Sequence, residues 1–64
     1  MDISEVRELL DLKGWNQVVL AGMLHVTPDA VRKWFKNGKV PDGPAALWMI
    51  AWLNQARKKV KVSG

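Results

Sequence analysis

The sequence predicts an all-α fold: a compact domain of four helices that spans residues 1–64. Apolar residues recur at three- and four-residue steps, which is the period of a helix with one buried face. Three groups of helix-breaking residues divide the chain into four segments, at Lys13-Gly14, at 25–28 and at 37–44. Residue types that cap helices precede three of these segments. A chain of 64 residues is sufficient for a single domain.

The first segment predicts a helix over about residues 2–13. Its acidic residues lie early in the segment, where the helix dipole favours them, and Gly14 is suited to a left-handed stop. The apolar residues that share one face are Ile3, Val6, Leu9, Leu10 and Leu12.

The next two segments predict short helices that follow each other closely. Asn16 is a good N-cap for a helix over Gln17–Leu24, in which Val19, Leu20, Met23 and Leu24 are the apolar set. Thr27 caps the third helix, Pro28 fits its first position, and Asn37-Gly38 ends it.

The fourth segment predicts a helix from about Gly43 to Lys59, with Asp42 as its cap. The tail over residues 57–62 has two interpretations. Its cations either finish the helix at its negative end or alternate along a strand, and we prefer the helix.

The composition excludes several classes of protein. The chain is 48% hydrophobic and 25% charged, which argues against disorder. It has no Cys, which excludes disulfides and thiolate metal sites and fits a reducing cytoplasm. The longest apolar run, residues 45–53, is too short for a membrane span, and no leader pattern opens the chain. We therefore expect an unprocessed cytoplasmic protein with no membrane partner.

The charge is divided unevenly along the chain. The net charge is +4, but residues 1–31 carry −3 and residues 32–64 carry +7. A cationic field attracts phosphates, acidic lipids and acidic proteins alike, so charge alone does not identify a partner.

The second and third segments together, about residues 16–37, predict a helix-turn-helix. From Trp15 to Pro41, 27 of the 64 residues, the sequence resembles the phage Cro proteins and repressors of the XRE family. Ala21 is the small residue in the first helix, Gln17 opens that helix, and Val31 through Pro41 matches the recognition helix and its exit loop. The apolar positions of the motif are filled by Leu20, Leu24, Val26, Val31 and Trp34. Many members have Gly in the turn, where this chain has His25, and a left-handed His costs about 1 kcal/mol.

The resemblance implies a lambda-repressor-like or Cro-like fold and a role in binding double-stranded DNA. It places Pro28, Asp29, Arg32 and Lys33 against base edges in the major groove. Arg32 can span O6 and N7 of a guanine, whereas Asp29 can hold Arg32 or Lys33 in place and sharpen specificity. The residues expected to contact the DNA backbone are Asn16, Gln17, Thr27, Lys36, Asn37 and Lys39.

The fourth helix is apolar on every side from Ala45 to Leu53, so one face is left for a partner. We expect it to form a homodimer, which would bind an inverted-repeat operator with half-sites about 34 Å apart. The residues expected at that interface are Trp48, Ile50, Trp52 and Leu53. The alternative is that both tryptophans belong to the chain's own core.

The expected function is therefore a small phage or mobile-element repressor, acting at the nucleoid of a bacterial cell. The main alternative is an antitoxin, which would keep the DNA-binding helices and use the fourth helix or the tail against a protein toxin. A second alternative is a basic amphipathic helix, residues 44–62, that binds a peptide or a membrane. We expect no enzyme, cofactor or metal site, because the chain has one His, no Cys and no nucleophile-base pair.

Overall fold

The structure is a computed structural model that describes the backbone of residues 1–62 and the side chains of residues 1–58. It contains α1 (Ile3–Lys13), α2 (Gln17–Leu24), α3 (Pro28–Asn37) and α4 (Pro44–Val62). For residues 1–62, the prediction of an all-helical fold with four helices is confirmed. Over the same residues, none of the helices is both long enough and apolar enough to cross a bilayer.

α1 begins one residue later than predicted, because Asp2 is its N-cap with extended backbone. The Glu5 carboxylate accepts a hydrogen bond from the Asp2 backbone N–H at 3.4 Å. Hydrogen bonding from the Ser4 hydroxyl is the main cause that holds the pKa of the Asp2 carboxyl below its ordinary value. Gly14 ends the helix at φ 70°, so the predicted left-handed stop is confirmed.

The predicted bounds of α2 and α3 are confirmed, and so are their caps. Asn16 Oδ1 accepts a hydrogen bond from the Val19 N–H at 2.9 Å, and Thr27 Oγ1 accepts one from the Ala30 N–H at 3.2 Å. His25 lies between the helices at φ 59° and ψ 39°, the left-handed conformation that the turn requires.

α4 departs from the prediction at both ends. It begins at Pro44, and the Gly43 carbonyl accepts the Leu47 N–H at 3.2 Å. Gly43 therefore takes the capping position, and the prediction that Asp42 holds it is wrong by one residue. The helix continues to Val62, which confirms the helical interpretation of the tail and contradicts the strand.

The core lies between two helix pairs, because α1 packs chiefly on α4 and α2 packs on α3. Its best-buried large side chains are Val6, Leu9, Leu20, Val31, Met49 and Leu53. Three residues that the helical period assigned to buried faces are exposed instead: Leu12 at 39%, Val19 at 41% and Met23 at 49%. α2 is apolar around most of its circumference, so part of its apolar surface remains outside the core.

A short antiparallel bridge joins the beginning of the chain to the loop after α3. The Met1 carbonyl accepts the Val40 N–H at 2.8 Å, and the Ile3 N–H donates to the Gly38 carbonyl at 3.1 Å. Val40 is 2% exposed beneath this bridge. The sequence did not predict it, because the paired segments are far apart in the chain and neither one has a strand pattern.

An ion pair joins α1 to α4. The Arg57 guanidinium donates to both carboxylate oxygens of Glu8, at 2.7 and 2.8 Å. Hydrogen bonding from Arg57 lowers the pKa of the Glu8 carboxyl, and the carboxylate raises the pKa of Arg57 in turn. Both side chains are partly exposed, so this pair directs packing more than it adds stability.

The two faces of α4 differ from the predicted assignment. Leu53 is 1% exposed in the chain's own core, so the expectation that it lines a dimer interface is wrong. Trp52 is half-buried, and its ring meets the Trp15 ring edge-to-face at 5.7 Å, so it is largely used within the chain. Trp48 and Ile50 are exposed as expected, at 60% and 41%. Among the α4 residues whose side chains the structure describes, 44–58, the most exposed large apolar residue is Leu47, at 70%, which was not among the predicted interface residues.

Candidate nucleic-acid interface

The outer face of α3 carries four charged side chains. They occur at steps of three, one and three residues, which places them on one side of a helix. Together they line a shallow open depression on the protein surface, and all four are exposed: Asp29, Arg32, Lys33 and Lys36. The structure thus brings three of the four predicted base-contacting residues together, along with one residue predicted to contact the DNA backbone.

The opposite face of α3 holds the helix in the fold. Val31 is fully buried and Trp34 is 9% exposed, so both of these apolar positions of the motif lie in the core. On the flank, the Arg7 guanidinium lies 5.6 Å from the centre of the Phe35 ring. The charged face is therefore not needed for the core packing and is held on a well-packed helix.

Asp29 and Arg32 form an ion pair within this face. An Arg32 guanidinium nitrogen lies 3.4 Å from an Asp29 carboxylate oxygen, and the two side chains are 73% and 81% exposed. A pair this exposed contributes little to stability, but it biases the direction of the guanidinium. Asp29 was expected to hold Arg32 or Lys33 in place. It forms an ion pair with Arg32, and no ion pair to Lys33 occurs among residues 1–58.

Pro28 occupies the first position of α3 and is exposed, beside the depression rather than in its lining. Thr27, which precedes it, uses its hydroxyl oxygen to cap the helix. The hydroxyl hydrogen remains able to donate to an anion. Asn16 caps α2 through its amide oxygen, so its amide NH₂ group also remains able to donate to an anion.

Asn16 and Gln17 lie at the beginning of α2 and are not part of the lining of the α3 depression. Asn16 is exposed and Gln17 is half-buried. The beginning of a helix presents free backbone N–H groups and the positive end of its dipole, which favour an anion. These residues therefore form a polar helix terminus separate from the charged face of α3.

A second groove runs between α3 and the loop that follows it. Its polar side chains are Lys33, Asn37 and Lys39, and Ala30, Trp34 and Pro41 supply its apolar lining. Lys39 lies within the bridge to Asp2, so its backbone is fixed although its side chain is exposed. The sequence analysis selected Lys39 for its positive charge but did not predict the bridge that fixes its backbone.

The described part of the chain brings no three His, Cys, Asp or Glu side chains together in a metal-ligand arrangement. The charged face of α3 carries three basic side chains and one acidic side chain. It thus offers direct ionic and hydrogen-bonding contacts to an anionic surface. Comparison of the chain with protein-family models, with curated proteins and with solved structures finds no match.

Proposed function

We propose that this protein is a sequence-specific DNA-binding transcriptional regulator that inserts α3 into the major groove. The observation that carries the proposal is the exposed face of α3, on which Arg32, Lys33 and Lys36 stand beside Asp29 without serving the core. A solvated charged face is common on helices. What distinguishes this one is its place on a short capped helix that follows another across a tight left-handed turn.

The dimensions of a helix fit this mode of binding. An α-helix with its side chains is about 10–12 Å across, and the major groove of B-DNA is about 12 Å wide. When the beginning of such a helix points at the groove floor, side chains of the first turn and of the next turn reach base edges. In α3 these are Pro28 and Asp29, followed by Arg32 and Lys33.

Each of these side chains has a distinct role in the proposal. Arg32 donates to O6 and N7 of a guanine, and Lys33 contacts the same edge as a point charge. Asp29 directs Arg32 and repels phosphate, so it penalises binding in which Arg32 meets only the DNA backbone. Pro28 and the Thr27 methyl group contact a thymine methyl group.

The phosphate contacts come from both sides of α3. Lys36, Asn37 and Lys39 lie at or beyond its end, and the Thr27 hydroxyl lies at its beginning. Asn16 and Gln17 contribute the start of α2, where backbone N–H groups are unpaired within the helix. These contacts set the position of the protein on the duplex and carry no sequence information directly.

The proposal extends to the fold type and the biological setting. The order of the helices, the turn at His25 and the capped α3 support a Cro-like arrangement. A regulator of this kind acts in the bacterial cytoplasm on nucleoid DNA, and its small size suits a phage or mobile-element repressor. We propose that it occupies an inverted repeat as a homodimer.

Selection from a pool of random duplexes at physiological salt tests this function. The expected result is enrichment of one short motif, with a reduced enrichment for Lys33→Ala. Lys13→Ala is the matched control, because it removes the same charge from a different helix. Lys13 is the last residue of α1, and its ammonium group lies over the Trp15 ring. Absence of any enriched motif would contradict sequence-specific binding, and equal losses in both variants would contradict the assignment to α3.

A further inference from the structure

One face of α4 is apolar, exposed and outside the DNA-contacting surface proposed above. It consists of Leu47, Trp48, Ile50 and Ala51, which we call the α4 apolar surface. Leu47 is 70% exposed, Trp48 is 60% exposed, and Ile50 is 41% exposed. Ala51, a small residue, lies among them and is also exposed, so that another helix backbone can approach closely here.

The other face of α4 already packs on the rest of the chain. Ala46, Met49, Leu53 and Ala56 are all buried, at steps of three and four residues. The helix carries no charged residue from Pro44 to Ala56, and its only polar side chains in that range are Asn54 and Gln55. Side chains of these sizes expose on the order of 300 Å², which is comparable to the largest apolar patch on a typical monomer, and such a patch is often functional.

Trp48 contacts a second tryptophan ring within the same helix. Its ring lies 6.0 Å from the Trp52 ring at an interplanar angle of 37°. Trp52 in turn meets Trp15 edge-to-face at 5.7 Å. A large aromatic side chain that is already ordered loses little freedom on binding, and for that reason tryptophans frequently dominate the energy of an interface.

Charges near the two ends of α4 indicate what covers the α4 apolar surface. Leu47, Ala51, Asn54 and Lys58 are exposed and follow one another at steps of four, three and four residues, so they share one side of α4. Asp42 is exposed just before the helix. Along its axis, α4 is therefore preceded by an acidic residue, apolar in the middle and basic at Lys58, and this order of charges is complementary to its own reverse.

We propose that the α4 apolar surface binds a second copy of this chain, with the two α4 helices antiparallel. A two-fold axis near Ile50, midway between residues 42 and 58, places Asp42 of each copy beside the partner's Lys58 and pairs the apolar centres. The antiparallel arrangement also sets the two helix dipoles in opposite directions. A parallel pair would place like charges together at both ends.

The consequence of this pairing for DNA binding rests on the proposed function, because two copies present two α3 helices. The pairing itself is measured without DNA. Its failure and the failure of DNA binding are therefore separate results.

Sedimentation equilibrium of the full chain tests the pairing over roughly 1 to 100 µM. We expect a monomer–dimer equilibrium that Leu47→Glu and Trp48→Ala each weaken by about 30-fold or more. Val18→Glu is the matched control, because Val18 is an apolar residue of α2 that is 64% exposed and lies outside the α4 apolar surface. Circular dichroism establishes whether each variant keeps its helices.

Charge reversal tests the antiparallel arrangement. Asp42→Lys and Lys58→Asp should each weaken the dimer, and the double variant should recover the wild-type affinity. In a parallel pair the same two changes would replace one like-charge contact by another, and the double variant would show no recovery.

A chain that stays monomeric over the whole concentration range would overturn the proposal. A dimer that survives Leu47→Glu and Trp48→Ala as well as it survives Val18→Glu would also overturn it, because the copies would then meet elsewhere. A monomer that binds a different small protein through Leu47 would overturn it in favour of a heteromeric complex.

Discussion

Two exposed basic side chains of the proposed interface, Arg32 on the charged α3 face and Lys39 in the loop after α3, are held in different ways. Arg32 combines a planar fork of donors with a neighbouring carboxylate, so its direction is restrained before it meets a ligand. Lys39 has an exposed flexible ammonium group on a backbone fixed by the bridge to Asp2. A base edge requires the first kind of group, whereas a phosphate accepts either one.

Arg32→Ala and Lys39→Ala therefore have different expected effects on DNA binding. Loss of Arg32 should remove about 1–3 kcal/mol of discrimination at one base pair, with a smaller effect on random DNA. Loss of Lys39 should weaken binding to all sequences alike and reduce the slope of log affinity against log salt by about 0.9. Titrations of selected and random duplexes at several salt concentrations measure both. Equal effects of the two variants on both duplexes would remove the distinction.

His25 is the strained residue of the turn between α2 and α3. Its φ of 59° lies in the left-handed region, which is unfavourable for a residue with a Cβ by about 1–2 kcal/mol. His25→Gly should relieve this strain, and the greater freedom of glycine in the unfolded chain offsets part of the gain. We expect unfolding free energy that is unchanged or higher by up to about 1 kcal/mol.

Gly38→Ala provides the reverse experiment for the same principle. Gly38 ends α3 at φ 82°, and nothing lies within 4 Å of an added Cβ, so any loss of stability comes from the backbone. We expect a loss of about 1 kcal/mol in chemical denaturation.

A large drop in melting temperature for His25→Gly would show that His25 makes contacts beyond its role in the turn.

At the level of elements, most contacts between helices are apolar, and the Glu8–Arg57 pair is a polar contact between α1 and α4. Arg57 holds the folded-state pKa of Glu8 below its ordinary value of 4.5. The stabilisation from this pair is therefore fully present above that pH. It is lost as the pH falls through the lower, folded-state pKa.

Glu8→Gln should lower the melting temperature at neutral pH and make its decline below about pH 4.5 shallower than in the wild type. Asp11→Asn is the control, since Asp11 is an exposed acid of the same helix that makes no ion pair among residues 1–58. Thermal melts between neutral pH and about pH 3 provide the comparison. A Glu8→Gln curve parallel to that of the wild type would contradict a contribution from the pair.

The elements that the sequence predicted well are those fixed by local chemistry. Asn16, Thr27, Gly14 and Gly38 set helix ends by hydrogen bonds or backbone preference within a few residues, and the structure places them as predicted. The charged face of α3 was predictable for the same reason, because helical period alone brings its members together.

What could not be predicted depends on contacts between distant parts of the chain. The bridge that fixes Lys39 joins segments with no strand pattern. The faces of α4 could not be told apart, because a helix apolar on every side leaves no period from which to choose. Leu53 was therefore assigned to an interface and Leu47 was overlooked, although the structure buries the first and exposes the second.

For the whole molecule, the two proposed surfaces make a joint prediction about DNA. A dimer joined through α4 should require two half-sites in inverted orientation, with centres about 34 Å apart. A duplex with one half-site, or with the spacing changed by about half a helical turn, should bind much more weakly in mobility-shift titrations. Leu47→Glu should reduce the difference between full and half sites. Equal affinity for both duplexes in the wild type would contradict paired binding.

In the proposed complex, the outer face of α3 meets the floor of a DNA groove. Nuclear magnetic resonance titration of the labelled protein with the selected duplex tests it most directly. We expect the largest amide shifts from Asp29 through Lys36, with smaller ones at Asn16, Gln17 and Lys39. Resonances of α3 that stay unmoved while the duplex binds elsewhere would contradict it.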